Sequence, residues 1–231
     1  MHYILSGKKV IFFDIGCTLD RPASGDWMFT NKFLSLAGER LRERDSKSIA
    51  AARRLGIEYL ADHQLMRDVD EENEVFTKYY SILSESLGLG LSGEDCRAVA
   101  EDRSGNMENY VIYPDAKAVP ECLSRRFTLG LISDTSPSVD AQLRYLGISQ
   151  FFSFRTYSFE LGVFKPDAKM FLDALAKAGC PAEETVFIDD VPQNLAAAAA
   201  LGITPVLIAA EKEPPAPLPC TVIRSLSELT E

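Results

Sequence analysis

The chain has 231 residues, 46% hydrophobic and 25% charged, with a formal net charge of −10. That length suits one large domain or a core with a sizeable insert. The acidic excess argues against nonspecific binding to nucleic acid or to an anionic membrane. No apolar run approaches the ~18 residues of a membrane span, and residues 1–10 lack the apolar centre of a secretory leader. Five scattered cysteines without a CxxC pair read as reduced thiols, and two histidines exclude a multi-histidine metal site. The expectation is a cytoplasmic α/β protein whose partners include no nucleic acid and no membrane; its oligomeric state is not legible.

Val10–Phe13 is a short apolar, β-favouring run that ends in Asp14, then small residues at Gly16 and Cys17 and a hydroxyl at Thr18. It predicts a buried parallel strand with a carboxylate at its C-terminal end, where open α/β sheets bind ligands. From Asp20 to about Tyr113 the texture changes. Phe29, Phe33, Leu36, Ala37 and Leu41, and later Val75, Phe76, Tyr79, Tyr80, Leu83 and Leu87, recur at helical spacing. Four or five helices and no strands are expected there. After Pro114 strands and helices alternate: a helix over 115–125, a strand over 127–132 ending at Ser133-Asp134, a helix over 138–146 and a short strand over 151–157. A loop carrying Lys165 follows, then a helix over 168–178 capped by Asp167, and a strand over 185–188 running into Asp189-Asp190. A helix over 193–201, a strand over 205–208, a proline-rich loop over 211–219, a strand over 221–223 and a last helix complete the chain. Such alternation implies right-handed crossovers and a parallel sheet, with the helical stretch inserted after the first strand's loop.

Parallel topology then brings four loops to one sheet edge: Asp14 with Thr18, Ser133, Lys165, and Asp189-Asp190. Converging carboxylates repel unless a cation sits among them. Oxygen ligands without histidine or thiolate suit Mg²⁺, which completes its shell with waters and substrate phosphate oxygens. Ser133 offers a hydrogen-bond donor and Lys165 a compensating charge for a phosphate. Asp14 is placed to attack phosphorus and form an aspartyl phosphate that water then opens.

This order resembles the haloacid dehalogenase-like superfamily, whose members are mostly phosphohydrolases. The matching stretches are FFDIGCTL, LISD, GVFKPD and VFIDDVPQN, and they span nearly the whole chain. The resemblance implies a Rossmann-like three-layer parallel-sheet core formed by residues 1–20 and 114–231, with an α-helical cap domain over 21–113. It implies Asp14 as nucleophile and Lys165 as neutralising cation. Thr18 and Ser133 become phosphate-binding hydroxyls beside Lys165. Metal ligation falls to Asp14, the Gly16 carbonyl and Asp190, with Asp189 supporting, and Asn194 matches a position often polar in relatives.

One position departs from that pattern. Phosphatases of the family carry a second aspartate two residues after the nucleophile, where this chain has Gly16. A glycine carbonyl still serves a metal, but glycine has no side chain to move a proton, a role worth about 10²–10⁴-fold in rate. Asp20 is near in sequence but beyond the loop. Three readings follow: a Mg²⁺-dependent phosphatase of small phosphorylated metabolites with reduced activity; a non-catalytic protein that binds a phosphate ligand; or a hydrolase of carbon–halogen or carbon–phosphorus bonds. The last would recruit a lysine such as Lys32, Lys47 or Lys78 for carbon–phosphorus chemistry, and the Asp189-Asp190 pair argues against its carbon–halogen branch. In the helical stretch, Trp27 and the pair Arg53-Arg54 are further candidates to meet a substrate.

Overall fold

The structure, a computed structural model, describes residues 2–210 and 220–231. Its strands are β1 (Val10–Phe13), β2 (Asp20–Pro22), β3 (Tyr110–Ile112), β4 (Thr128–Ser133), β5 (Phe154–Tyr157), β6 (Thr185–Asp189), β7 (Thr204–Ile208) and β8 (Thr221–Ile223). The helices are α1 (Asn31–Arg42), α2 (Ser46–Asp62), α3 (Val69–Leu87), α4 (Gly93–Gly105), α5 (Ala118–Leu123), α6 (Val139–Tyr145), α7 (Ser158–Leu161), α8 (Ala168–Ala178) and α9 (Pro192–Ala200). Among the described residues the chain divides into two compact units. One draws on Met1–Arg21, Ile112–Thr135 and Leu143–Glu231, the other on Pro22–Val111 and Ser136–Gln142. Residues 136–142, which the alternating pattern kept with the α/β part, thus group with the helical unit.

The first unit is built on a parallel sheet in the order β5-β4-β1-β6-β7-β8. β1 lies inside it and is buried at every position, so an unbroken apolar run is what both covered faces require. Phe12 belongs to a core with Met170, Phe171 and Ala174 of α8 and Leu195 and Ala198 of α9. Its neighbours Ile11 and Phe13 point to the opposite face by strand alternation and are equally buried. Helices on a parallel sheet give the expected α/β layering. Gly130 of β4 is there for closeness: a Cβ would stand 2.3 Å from the Phe154 ring of β5.

In the second unit each helix start is written in the sequence. Thr30, Asp45, Asp68 and Ser92 cap α1 to α4 by accepting backbone N–H groups, and Ser92 with Asp95 forms a capping box. The apolar stripes of these helices meet in a core of Phe33, Leu41, Phe76, Tyr79, Tyr80, Leu83 and Val99. Gly56 of α2 leaves room for Tyr79, whose ring would lie 2.4 Å from an added Cβ.

Local differences from the sequence pattern have local reasons. The strandless reading of 21–113 missed β2 and β3, which pair as a separate two-stranded sheet. Three-residue strands are too short to show a period. The helix expected over 115–125 contracts to α5, and α7 was not anticipated because four residues carry little periodicity. The last helix is a 3₁₀ turn, Leu226–Leu229, with Ser225 and Glu228 as its capping box and Asp115 accepting from Ser225 and Ser227. The loop expected over 211–219 lies outside the described residues. No helix among the described residues is long and apolar enough to cross a membrane.

Candidate active site

The C-terminal ends of β1, β4 and β6 lie side by side, and their ladders set the heights of the residues just beyond them. Phe13 is level with Leu131 of β4 and with Ile188 of β6. Asp14 continues the ladder by donating its N–H to the Ile188 carbonyl at 2.9 Å. The loop then closes on itself: Cys17 N–H donates to the Asp20 carbonyl at 2.7 Å, and Gly16 bridges to Asp20. Cys17 has φ +59°, the left-handed conformation that glycine adopts without steric cost.

Lys165 comes in from the loop between α7 and α8. Its Nζ donates to Asp14 Oδ1 at 2.6 Å, to Asp189 Oδ2 at 2.8 Å and to the Ile132 carbonyl at 3.3 Å. The Lys165 backbone N–H donates to Asp134 Oδ1 at 2.9 Å, which ties the loop to the end of β4. Asp189 is fully enclosed. It also accepts from Val191 N–H at 2.7 Å and from Asn194 Nδ2 at 3.1 and 3.2 Å. Asn194 therefore orients Asp189.

The ionisation of these groups follows from their burial and mutual charge. Burial raises the Asp14 carboxyl most, Lys165 pulls it down, Asp189 and Asp190 add to the rise, and the balance lies at about 7. Burial works against the Lys165 ammonium, but Asp14, Asp189 and Asp134 outweigh it and hold the group above the ordinary lysine value. One oxygen each from Asp14, Asp189 and Asp190 lie within 4.8 Å of one another. An all-oxygen anionic set with no histidine or thiolate fits a hard divalent cation, whose charge would favour the ionised carboxylates.

Of the residues singled out from the sequence, the structure brings Asp14, Lys165, Asp189 and Asp190 together. Ser133 closes β4, buried, one residue from Asp134. Gly16 is half-buried in the loop after Asp14. Thr18 is different. It is wholly enclosed, and its hydroxyl has no hydrogen-bond partner among the described residues, so it is not presented to the open edge. Asp20 is likewise fully buried. In the helical unit, Arg53 is committed to Asp26 and lies 4.2 Å over the Phe29 ring. Arg54 faces Glu58 at 3.8 Å. Trp27 is half-buried, its ring 6.4 Å from that of Tyr110. Lys32, Lys47 and Lys78 are exposed helix-face residues. Asp134 was passed over in the sequence although LISD displays it beside Ser133.

Comparison with known proteins identifies relatives of this chain. The model of the haloacid dehalogenase-like hydrolase family matches residues 9–202. The phosphoserine phosphatase of Thermus thermophilus is 32% identical over 107 residues, 46% of this chain and 43% of that protein, so the match spans less than half of that relative's length. Among solved structures, a 2-haloacid dehalogenase from Pseudomonas syringae superposes with a TM-score of 0.65 at 22% identity, over 96% of each chain. A HAD phosphatase from Thermococcus onnurineus gives 0.65 at 21%, over 96% of this chain and 95% of that one. The HAD-hydrolase YfnB from Bacillus subtilis gives 0.66 at 18%, over 96% of each. These likenesses show the shared fold. With the family match running from the residue before β1 to the turn after α9, the chain belongs to the haloacid dehalogenase-like hydrolases.

Proposed function

We propose that this hydrolase is a Mg²⁺-dependent phosphatase of small phosphorylated metabolites, acting through an aspartyl phosphate on Asp14. The observation that carries this reading is the convergence of Asp14, Asp189 and Asp190 oxygens within 4.8 Å beside the Lys165 ammonium. Three carboxylates and one lysine leave an anionic centre, which favours a substrate delivered with a divalent cation. The identity to a phosphoserine phosphatase supports the same class.

Asp14, the Gly16 carbonyl and Asp190 would hold the cation, with Asp189 behind them. When bound it supplies positive charge against the phosphoryl oxygens. Lys165 adds a fixed positive charge and keeps the attacking carboxylate oriented. Ser133 offers its hydroxyl to a phosphoryl oxygen. Asp14 Oδ attacks phosphorus, and water later opens the acyl phosphate. Asp189, locked by Asn194 and Val191 N–H, holds Lys165 from behind. The enclosed Thr18 supports the loop from inside in this arrangement.

Attack on carbon in a haloacid is disfavoured here. Such a substrate brings its own carboxylate, and Asp189 and Asp190 beside Asp14 would repel it. A protein that only binds phosphate ligands would need no nucleophile. Hydrolysis of p-nitrophenyl phosphate separates these readings. The expected result is Mg²⁺-dependent turnover that EDTA and Asp14→Asn abolish. Tight binding of inorganic phosphate with no turnover would establish the binding protein instead.

A further inference from the structure

Lys165 carries its ammonium on a flexible four-carbon stem, so the position of that charge depends on where its main chain is held. From Phe159 to Lys169, Lys165 is buried and every other residue is half-buried or exposed. The loop therefore runs over the surface and sends one side chain inward. Gly162 N–H donates to the Ser158 carbonyl at 2.8 Å where α7 ends, and Asp167 N–H turns back to the Phe164 carbonyl at 2.9 Å. Among the described residues, the main chain of 163–166 bonds to another element in one place only. That bond runs from the Lys165 N–H to Asp134 Oδ1.

The acceptor is itself held from both sides. Asp134 directly follows Ser133, the last residue of β4, in which Leu129 to Ser133 are buried. On the other side, Thr135 N–H donates to Ser158 Oγ at 3.0 Å, and that enclosed hydroxyl donates to the Thr135 carbonyl at 3.2 Å. Asp134 thus lies between a buried strand and a residue tied to the start of α7. Its side chain reaches solvent, where water competes for every hydrogen bond, so the bond to Lys165 serves geometry more than stability. Asp134 also lends charge. Burial opposes the Lys165 ammonium, and Asp14, Asp189 and then Asp134 favour it. A carboxamide keeps the acceptor without that charge, so the two contributions are separable.

We propose that Asp134 is a positioning residue: by holding the Lys165 main chain it keeps the ammonium between Asp14 and Asp189. The consequence for turnover rests on the phosphatase reading above. Asp134 acts through Lys165 alone. Without the bond the loop is free to shift, and the ammonium leaves Asp14, now at 2.6 Å, and Asp189, at 2.8 Å, for water. A misplacement on the order of 1 Å in a group that orients the reaction costs about 10²-fold in rate.

Wild type, Asp134→Asn, Asp134→Ala and Asp14→Asn are compared by two measurements. The first is lysine acetylation by an N-hydroxysuccinimide ester, read by mass spectrometry, with the exposed Lys32, Lys47 and Lys78 as internal references. The second is kcat and KM for p-nitrophenyl phosphate with Mg²⁺. Lys165 is expected to react slowly in wild type and Asp134→Asn, and at least about ten-fold faster in Asp134→Ala with the references unchanged. In parallel, kcat is expected to fall about 10²-fold in Asp134→Ala and to stay within about three-fold of wild type in Asp134→Asn. Unchanged labelling in Asp134→Ala would show that Asp14 and Asp189 hold the ammonium unaided, and overturns the proposal. Losses as large in Asp134→Asn would assign the effect to charge, and faster labelling with kcat intact would make the position immaterial; each overturns it too. Should Asp134→Ala lose its native circular dichroism, Asp134→Glu takes its place, because it keeps the charge and shifts the acceptor by one methylene. Wild-type inactivity, or turnover that persists in Asp14→Asn, overturns the phosphatase reading and leaves the labelling to decide what holds Lys165.

Discussion

Thr18 and Asp14 sit four residues apart in one loop, and burial acts on them in different ways. The Asp14 carboxylate keeps a cation at 2.6 Å, whereas the Thr18 hydroxyl is enclosed with nothing to bond. An unpartnered buried hydroxyl carries a desolvation penalty of about 1–3 kcal/mol, which a methyl group would not. Thr18→Val is therefore expected to leave the unfolding free energy unchanged or raise it by up to about 1 kcal/mol in urea titration. A fall would mean that the hydroxyl has a partner in solution, and a large rise in KM for p-nitrophenyl phosphate would return it to the phosphate site. LISD shows Asp134 as one acid among the chain's 34 acidic residues. Its carboxylate accepts the Lys165 backbone N–H, a pairing of residues 31 positions apart that no local pattern displays.

At the scale of elements, α3 carries the least expected feature. Its buried face is Phe76, Tyr79, Tyr80, Leu83 and Leu87, yet Glu72 lies on it with 1% exposure. Glu72 accepts from Arg103 Nη1 of α4 at 2.7 Å and from the Ser138 N–H and hydroxyl at 2.8 Å each. Arg103 stands 3.7 Å over the Phe76 ring. This network explains why residues 136–142 group with the helical unit. Removing one member of a buried pair leaves the other charged and unpaired, typically at a cost of 3–5 kcal/mol. Glu72→Ala is expected to lose about that much stability by chemical denaturation, and a loss below about 1 kcal/mol would show that Arg103 finds water instead. Helical spacing marked the apolar stripe of α3 but gave Glu72 no distinction from the neighbouring acids, because its partners lie 31 and 66 positions away.

For the whole molecule, the acidic cluster couples stability to pH and to divalent cations. In the folded chain Asp14 keeps its proton up to about 7, against an ordinary value of 3.8. Between those values the folded state holds more protons than the unfolded one, so this contribution is full below about pH 4 and is lost as pH rises through 7. A bound cation favours the ionised form and offsets that loss, adding stability that grows with its concentration. Thermal unfolding should therefore show a larger rise in Tm on adding Mg²⁺ at pH 8 than at pH 5, and EDTA should reverse it. An equal rise at both values would place the cation away from Asp14. The Asp14→Asn variant is expected to lose most of the pH dependence of the Mg²⁺ effect.

What the sequence by itself determined is the order of the parts. Short apolar runs, cap residues and glycine stops are local signals, and they place β1, β4 and β6, the four helices of the second unit, and Asp14, Ser133, Lys165 and Asp189-Asp190 at strand ends. A parallel sheet then brings those ends to one edge as a matter of topology. Only the tertiary structure decided which side chains meet. Arg53 is taken by Asp26, Thr18 is enclosed, Asn194 locks Asp189, and Asp134 ties down the Lys165 loop. The physical reason is range: periodicity records whether a residue is covered, whereas its partners are chosen by the register and packing of elements distant in sequence.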